Sequence, residues 1–260
     1  MQQQLPVLAI CLRGKCIDTQ LDVKTGCRKV IDARNTWGAI HRHIVVPNQK
    51  QWRVKVFAHG WVHDAQQAAE LPLLFNASAH KFEQQRSFKS VYSAISVAVR
   101  SEIVRERFRH LPSAPAGADN YFESVLSYAY SISSSAMLVT ERVDAFISIR
   151  HDAIPKQDVV ISCIPREILT DAVANASPLF MGDFILCGDG AELQRLMDLY
   201  NWVTQLLTDA GKRDAFRRWT ATQRKSRQPG GKYDHGDYAN QCILSYFFSG
   251  RHRPVFACRI

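Results

Sequence analysis

The apolar positions of this chain gather into a few coherent runs, and their spacing predicts where strands and helices lie. "PVLAICLRG" (residues 6–14) is a continuous apolar run suited to a buried strand. "HRHIVV" (41–46) and "WRVKVFA" (52–58) flank "PNQK", whose Pro and Asn favour a turn, so the pattern predicts a hairpin. In its second strand Trp52, Val54 and Val56 alternate with Arg53 and Lys55, the period-two signature of a half-buried strand. Between Gln85 and His110, Phe88, Val91, Tyr92, Ile95, Val99 and Ile103 recur at steps of three and four, which predicts a helix. Prolines and a glycine in "LPSAPAGAD" (111–119) end it, and residues 120–132 predict another helix.

A second strand-rich block follows. "VDAFISIRH" and "DVVISCI" read as strands, and "PREILTDAVANA" as a short helix with Pro165 in its first turn. The strand "FILCG" leads into Asp189, a helix N-cap with Glu192 three residues on. From there Leu193, Leu196, Tyr200, Val203 and Leu207 trace one helical face that Gly211 ends. "QCILSYFFSG" and "PVFACRI" predict two closing strands.

This order predicts the α+β class: mainly antiparallel sheets, a helical insert at about 66–135, and a long amphipathic helix near 189–210. A single domain over 1–260 is expected, with 111–119 as a possible boundary.

Composition adds bounds. Apolar content of 46% and charged content of 22% are those of a globular chain. No run approaches the roughly 18–20 apolar residues that span a bilayer, and "LPVLAICL" lacks the basic flank of a secretory leader. Seven cysteines, mostly inside apolar runs, read as buried thiols in a reducing, cytoplasmic setting. Cys11, Cys16 and Cys27 contain no C-x2-C pair, so no metal is expected, and no cofactor either.

Charge changes the picture more. Of the net +9, the stretch 212–232 carries +7 in 21 residues, which leaves +2 for the other 239. Its cations are Lys212, Arg213, Arg217, Arg218, Arg224, Lys225, Arg227 and Lys232, opposed by Asp214 alone. A local surplus of this kind suits a polyanion. Trp219 among the arginines adds a stacking plane, which favours RNA or single strands over duplex DNA. On the strand "WRVKVFA", Arg53 and Lys55 share a face with Phe57 and extend the same reading, with Arg251 and Arg253 as further contacts. The expectation is a non-enzymatic, backbone-directed RNA-binding subunit of a ribonucleoprotein assembly, with other protein subunits as partners.

Two alternatives stand beside it. His41, His43, His59 and His63, four of the nine histidines, fall within 25 residues. If the hairpin brings His41, His43 and His59 together, they could cleave RNA by metal-independent acid–base chemistry. A structural, matrix-type assembly protein on anionic surfaces is the other alternative. "CGDGAEL" imitates a phosphate-binding turn, but its two aspartates and missing Lys make a helix cap the better reading. Walker, Rossmann and RNP motifs are absent.

Overall fold

Strand β1 (Val7–Arg13) is buried at every residue, which a strand achieves only with neighbours on both edges and cover on both faces. The computed structural model describes residues 5–21, 28–107, 118–163, 180–181, 185–225, 240–248 and 256–259. They belong to two compact units: Met1–Gln85, Ser131–Met197 and Arg253–Ile260 in the first, Arg86–Tyr130 and Asp198–His252 in the second.

The first unit is built on a six-stranded sheet. β1 lies between β4 (Arg53–Trp61) and β6 (Ala145–Arg150), and β5 (Ala79–Glu83) flanks β4. These four strands are parallel, with Ile10 opposite both Val56 and Ile147. Beyond β6, β9 (Ile185–Asp189) and the short β8 (Phe180–Met181) run antiparallel. A separate antiparallel pair joins β2 (Ile17–Leu21) to β3 (Arg28–Asp32), and another joins β7 (Val160–Cys163) to β10 (Phe256–Arg259).

The α+β class therefore holds, but the mainly antiparallel sheet does not: the central sheet is mostly parallel. Parallel neighbours need a crossover rather than a tight turn. The β1–β4 connection carries β2, β3 and α1 (Ala33–Ile40), and the β4–β5 connection carries α3 (Ala65–Phe75). β5 escapes notice because it is a short edge strand, "AHKFE", whose charges and half-exposed rings blur its alternation.

The predicted hairpin is also corrected. "HRHIV" is a π-helical turn that prolongs α1 and runs into α2 (Val46–Asn48), with Pro47 in the first turn of α2. Asp32 starts the helix by accepting the Arg34 N–H at 2.9 Å, and Ala33, Thr36, Ile40 and Ile44 bury one face. Together with Trp52, Leu71 and Phe75 this face covers Leu8, Ile10 and Leu12 of the sheet. Trp37 of α1 meets Phe75 of α3 with ring centroids 5.1 Å apart.

Gly60 in β4 marks a close approach near the strand ends. A methyl group there would collide with the buried Cys16 sulfur and come within 2.9 Å of the Phe82 ring. Gly60→Ala should cost about 1–3 kcal/mol in urea unfolding, because neither neighbour has room to retreat. An unchanged midpoint would show that the β1–β2 link yields freely.

The second unit is helical: α4 (Lys89–Tyr92), α5 (Val97–Arg107), the start of α6 (Ala118–Met137), α8 (Leu199–Thr208), α9 (Ala210–Lys225) and α10 (Asn240–Phe247). The single helix expected over 85–110 breaks at Ser93–Ser96, although Phe88, Tyr92, Ile95 and Ile103 are all buried as its pattern implied. Glu123 begins α4 from outside, its carboxylate accepting the Phe88 N–H at 3.0 Å and the Ser87 hydroxyl at 2.7 Å. The long helix near 189–210 is two helices. Asp189 caps α7 (Gly190–Leu196), accepting the Glu192 N–H at 2.8 Å, and α8 starts anew after Asp198. Gly211 lies inside α9 instead of ending a helix. "QCILSYFF" forms α10 rather than a strand, burying Ile243 and Leu244, since a short apolar run fits either element. The predicted helix 165–176 lies outside the described residues.

Candidate functional site

In the first unit the chain runs outward from β1 to β4 and β5, then returns to place β6 on the other side of β1. Carboxyl ends of parallel strands at such a reversal are where open α/β sheets bind ligands. Here those ends carry an unusual density of buried polar groups. Arg13 is fully buried, its Nε donating to Ser148 Oγ at 2.9 Å. His59 is fully buried with Nε2 3.0 Å from Glu83 Oε1, and Lys81 reaches the same oxygen at 3.0 Å. His151, just past β6, is 1% exposed, stacks on Phe75 at 5.4 Å and lies 3.1 Å from the His59 carbonyl oxygen. Burial pushes the His151 pKa down to about 4, so its ring is neutral at pH 7. Such groups persist in an interior only when hydrogen-bonded, and each of these is. Arg13 is legible in the sequence as a cation closing an apolar strand run; the role of Glu83 is not, because β5 itself is hidden.

The four clustered histidines go to different places. His41 is exposed on the helix beside Trp37. His43 pairs with Asp158 at 2.9 Å, His59 with Glu83, and His63 lies with Nε2 3.3 Å from the Ile17 carbonyl oxygen. The hairpin that would have assembled His41, His43 and His59 is absent, and each ring has its own partner. Among the described residues no three of His, Cys, Asp and Glu gather as metal ligands. Arg53 is exposed at the opposite, amino-terminal end of β4, and Lys55 is paired with Glu141 at 2.5 Å. Phe57, on their face in the sequence reading, is buried and offers no surface for a base. Cys11 and Cys16 are buried free thiols, Cys187 is buried as well, and burial raises Cys11 to about 12, which leaves it protonated and inert.

In the second unit the basic stretch begins as the helix α9, and its cations divide into two kinds. Arg213 is buried and donates to the Leu207 carbonyl at 2.8 Å, closing the end of α8. Arg217 joins Glu102 and Glu106 of α5, both at 3.1 Å, and Asp214 at 3.4 Å. Trp219 packs against Phe216 and Tyr246. These three hold the helix in place. Lys212 and Arg218 face solvent. Arg224 and Lys225 lie in the last turn of the helix, while Arg227, Lys232, Arg251 and Arg253 lie outside the described residues.

A cavity of about 490 Å³ opens against the same helix. Trp202 and Leu206 of α8 line it with Lys212 and Ala215 of α9 and Tyr246 and Phe247 of α10. Trp202 stands edge-on to Phe247 at 5.1 Å and tilted to Tyr246 at 5.6 Å. Asp209, the acid at its rim, caps α9 by accepting the Lys212 N–H at 3.0 Å. Lys212 hydrogen-bonds Gln205 beside the opening. The sequence reading missed these aromatics because it placed Tyr246 and Phe247 in a strand and Trp202 in the middle of one long helix.

Among the described residues no helix is long and apolar enough to cross a membrane. No family model, no curated protein and no solved structure matches the chain.

Proposed function

We propose that the protein binds RNA or another single strand through its helical unit, as a backbone-directed subunit of a cytoplasmic ribonucleoprotein assembly. The observation that carries this reading is the pairing of an aromatic-lined cavity with solvent-facing cations on one helix. Single strands expose both phosphates and the flat faces of their bases. Lys212 and Arg218 meet the first requirement, and Arg224, Lys225, Arg227 and Lys232 continue the same surplus, with no acid from Ala215 to Tyr233. Trp202, Tyr246 and Phe247 meet the second, in a cavity of a size that takes a nucleoside. Arg213 and Arg217 are structural in this reading, so the interface is smaller than the eight cations suggest. Buried free thiols suit the reducing compartment.

Titration of a labelled single-stranded RNA by fluorescence anisotropy, at several salt concentrations, tests it. Replacing Lys212, Arg218, Arg224 and Lys225 by Ala should weaken binding at least about tenfold and flatten the salt dependence by roughly 0.7 of a slope unit per cation that contacts a phosphate. Trp202→Leu should weaken binding by about 1–3 kcal/mol while leaving the salt slope unchanged, since stacking releases no counterions. Unchanged affinity in the fourfold variant rejects the assignment. Flotation with anionic vesicles but no RNA binding at equal salt moves it to a membrane surface.

A further inference from the structure

The sheet unit carries its own opening, independent of the basic helix. A cavity of about 260 Å³ lies at the carboxyl ends of β1, β4 and β5. Its walls are Lys15 from the link after β1, Ile17 at the start of β2, Trp61, Val62 and His63 from the end of β4, and Gln84 and Gln85 just after β5. Three backbone features shape it. Gly14 turns the chain with φ 99°, a conformation that side chains with a Cβ rarely adopt. The Trp61 N–H then donates to the Gly14 carbonyl, and the Cys16 N–H to the Trp61 carbonyl, both at 3.0 Å, so Lys15 is held beside the strand end. His63 is fixed by its own N–H to Gln67 Oε1 at 3.2 Å and by its ring against the Ile17 carbonyl oxygen.

The lining chemistry selects a ligand. Lys15, His63, Gln84 and Gln85 are the polar wall residues; Lys15, Gln84 and Gln85 bring N–H donors, and no carboxylate is among the four. Two of the acids next to the wall in the sequence are committed elsewhere. Glu83 is held by His59 and Lys81, and Asp64 caps α3 by accepting the Gln67 N–H at 2.8 Å and Gln67 Nε2 at 3.0 Å. Trp61, whose ring stands edge-on to the buried His59 at 5.1 Å, supplies apolar wall with Val62 and Ile17. The geometry points to a binding site for a small oxyanion, a carboxylate or phosphate on a compact apolar body, at the carboxyl edge of this sheet. The volume suits a few-carbon acid or phosphate monoester. Placement at parallel strand ends, beside the buried Arg13 and His59, is the arrangement that small-molecule sites take in α/β sheets.

Thermal unfolding of the full chain tests this, with inorganic phosphate and acetate each compared with chloride at equal ionic strength. A ligand bound only by the folded state raises Tm, by more the further its concentration exceeds its Kd. At least one oxyanion should raise Tm over chloride, and the larger gain names the preferred group. The double variant Lys15→Gln with His63→Gln should lose the gain. Gln84→Glu, which leaves Lys15 and His63 in place and adds one negative charge to the wall, should lose it as well. Replacing Lys212 and Arg218 by Ala, in the other unit, should leave it intact. No gain for either oxyanion in the native chain overturns the proposal, and so does a gain that persists in Gln84→Glu or disappears with Lys212 and Arg218.

Discussion

Asn48→Ala is expected to remove about 4 kcal/mol from the stability of the sheet unit. Asn48 is fully buried at the end of the helix that prolongs α1, and its amide does the work of a strand edge. Nδ2 donates to the carbonyls of Ile44 and Val159, both at 2.7 Å, and Oδ1 accepts the Ile161 N–H at 2.9 Å. The flanking bonds continue the ladder: Val159 N–H to the His43 carbonyl at 2.8 Å, and Trp52 Nε1 to the Ile161 carbonyl at 2.8 Å. One side chain thus ties residues 43–52 to the start of β7. Alanine leaves at least two buried backbone groups, the Val159 carbonyl and the Ile161 N–H, without their partner. Each such group costs about 1–3 kcal/mol, more than the bond itself contributes when both partners are present. Asn48→Asp should be as damaging, because it keeps the acceptor for Ile161 but turns acceptor oxygen toward two carbonyls. Urea denaturation followed by circular dichroism measures both variants. A loss below about 1 kcal/mol for alanine would mean that water reaches the site and takes over the bonds.

The same Asn48 shows why the sequence was legible in some places and not in others. "PVLAICLR" can be read correctly because both faces of β1 are buried, and the continuous apolar run Val7–Leu12 has little other use. "HRHIVVPNQK" cannot. Ile44, Val45 and Val46 are β-formers by propensity, and Pro47 and Asn48 imitate a turn. Burial of Ile40, Ile44 and Val45 against the sheet, with Pro47 at a position where a missing N–H does no harm, overrides both signals. The cue that was present is Asp32 as an N-cap, followed by buried positions at helical spacing. Sheet direction was harder still. Parallel pairing of β4 and β5 depends on recognising β5, and five residues at a charged edge carry almost no pattern. On the candidate site, charge counting locates the basic helix but cannot separate Lys212 and Arg218, which face water, from Arg213 and Arg217, which bind their own unit. That division depends on Leu207, Glu102 and Glu106, none of which a charge count weighs.

Acid should weaken the protein over the window that His151 defines. An unperturbed histidine titrates near 6.5, whereas burial holds the folded His151 at about 4, opposed only in part by its hydrogen bond to the His59 carbonyl. Arg13, whose carbonyl accepts the His151 N–H at 2.9 Å, adds a second charge that disfavours the imidazolium, while Asp152 favours it. Between these two pKa values the unfolded chain binds a proton at this residue and the folded chain does not. Stability therefore rises with pH across the window. The contribution is complete above about pH 6.5 and is lost as the pH falls toward 4, roughly 3 kcal/mol in all at about 1.4 kcal/mol per unit. Carboxylates add their own acid limb, so the informative quantity is a difference. His151→Gln keeps an N–H for the His59 carbonyl but has no proton to gain, and its urea midpoint should fall less than that of the native chain between pH 6.5 and 4. The two curves should run parallel above pH 7. In the native chain, the His151 ring resonances should stay those of a neutral imidazole at pH 5.5. A His151 titration near 6.5, or identical acid limbs in the two proteins, would show that the carboxyl edge of the sheet is wet enough to solvate an imidazolium. Water would then reach the buried Arg13–Ser148 pair at the same strand ends as well, and weaken it.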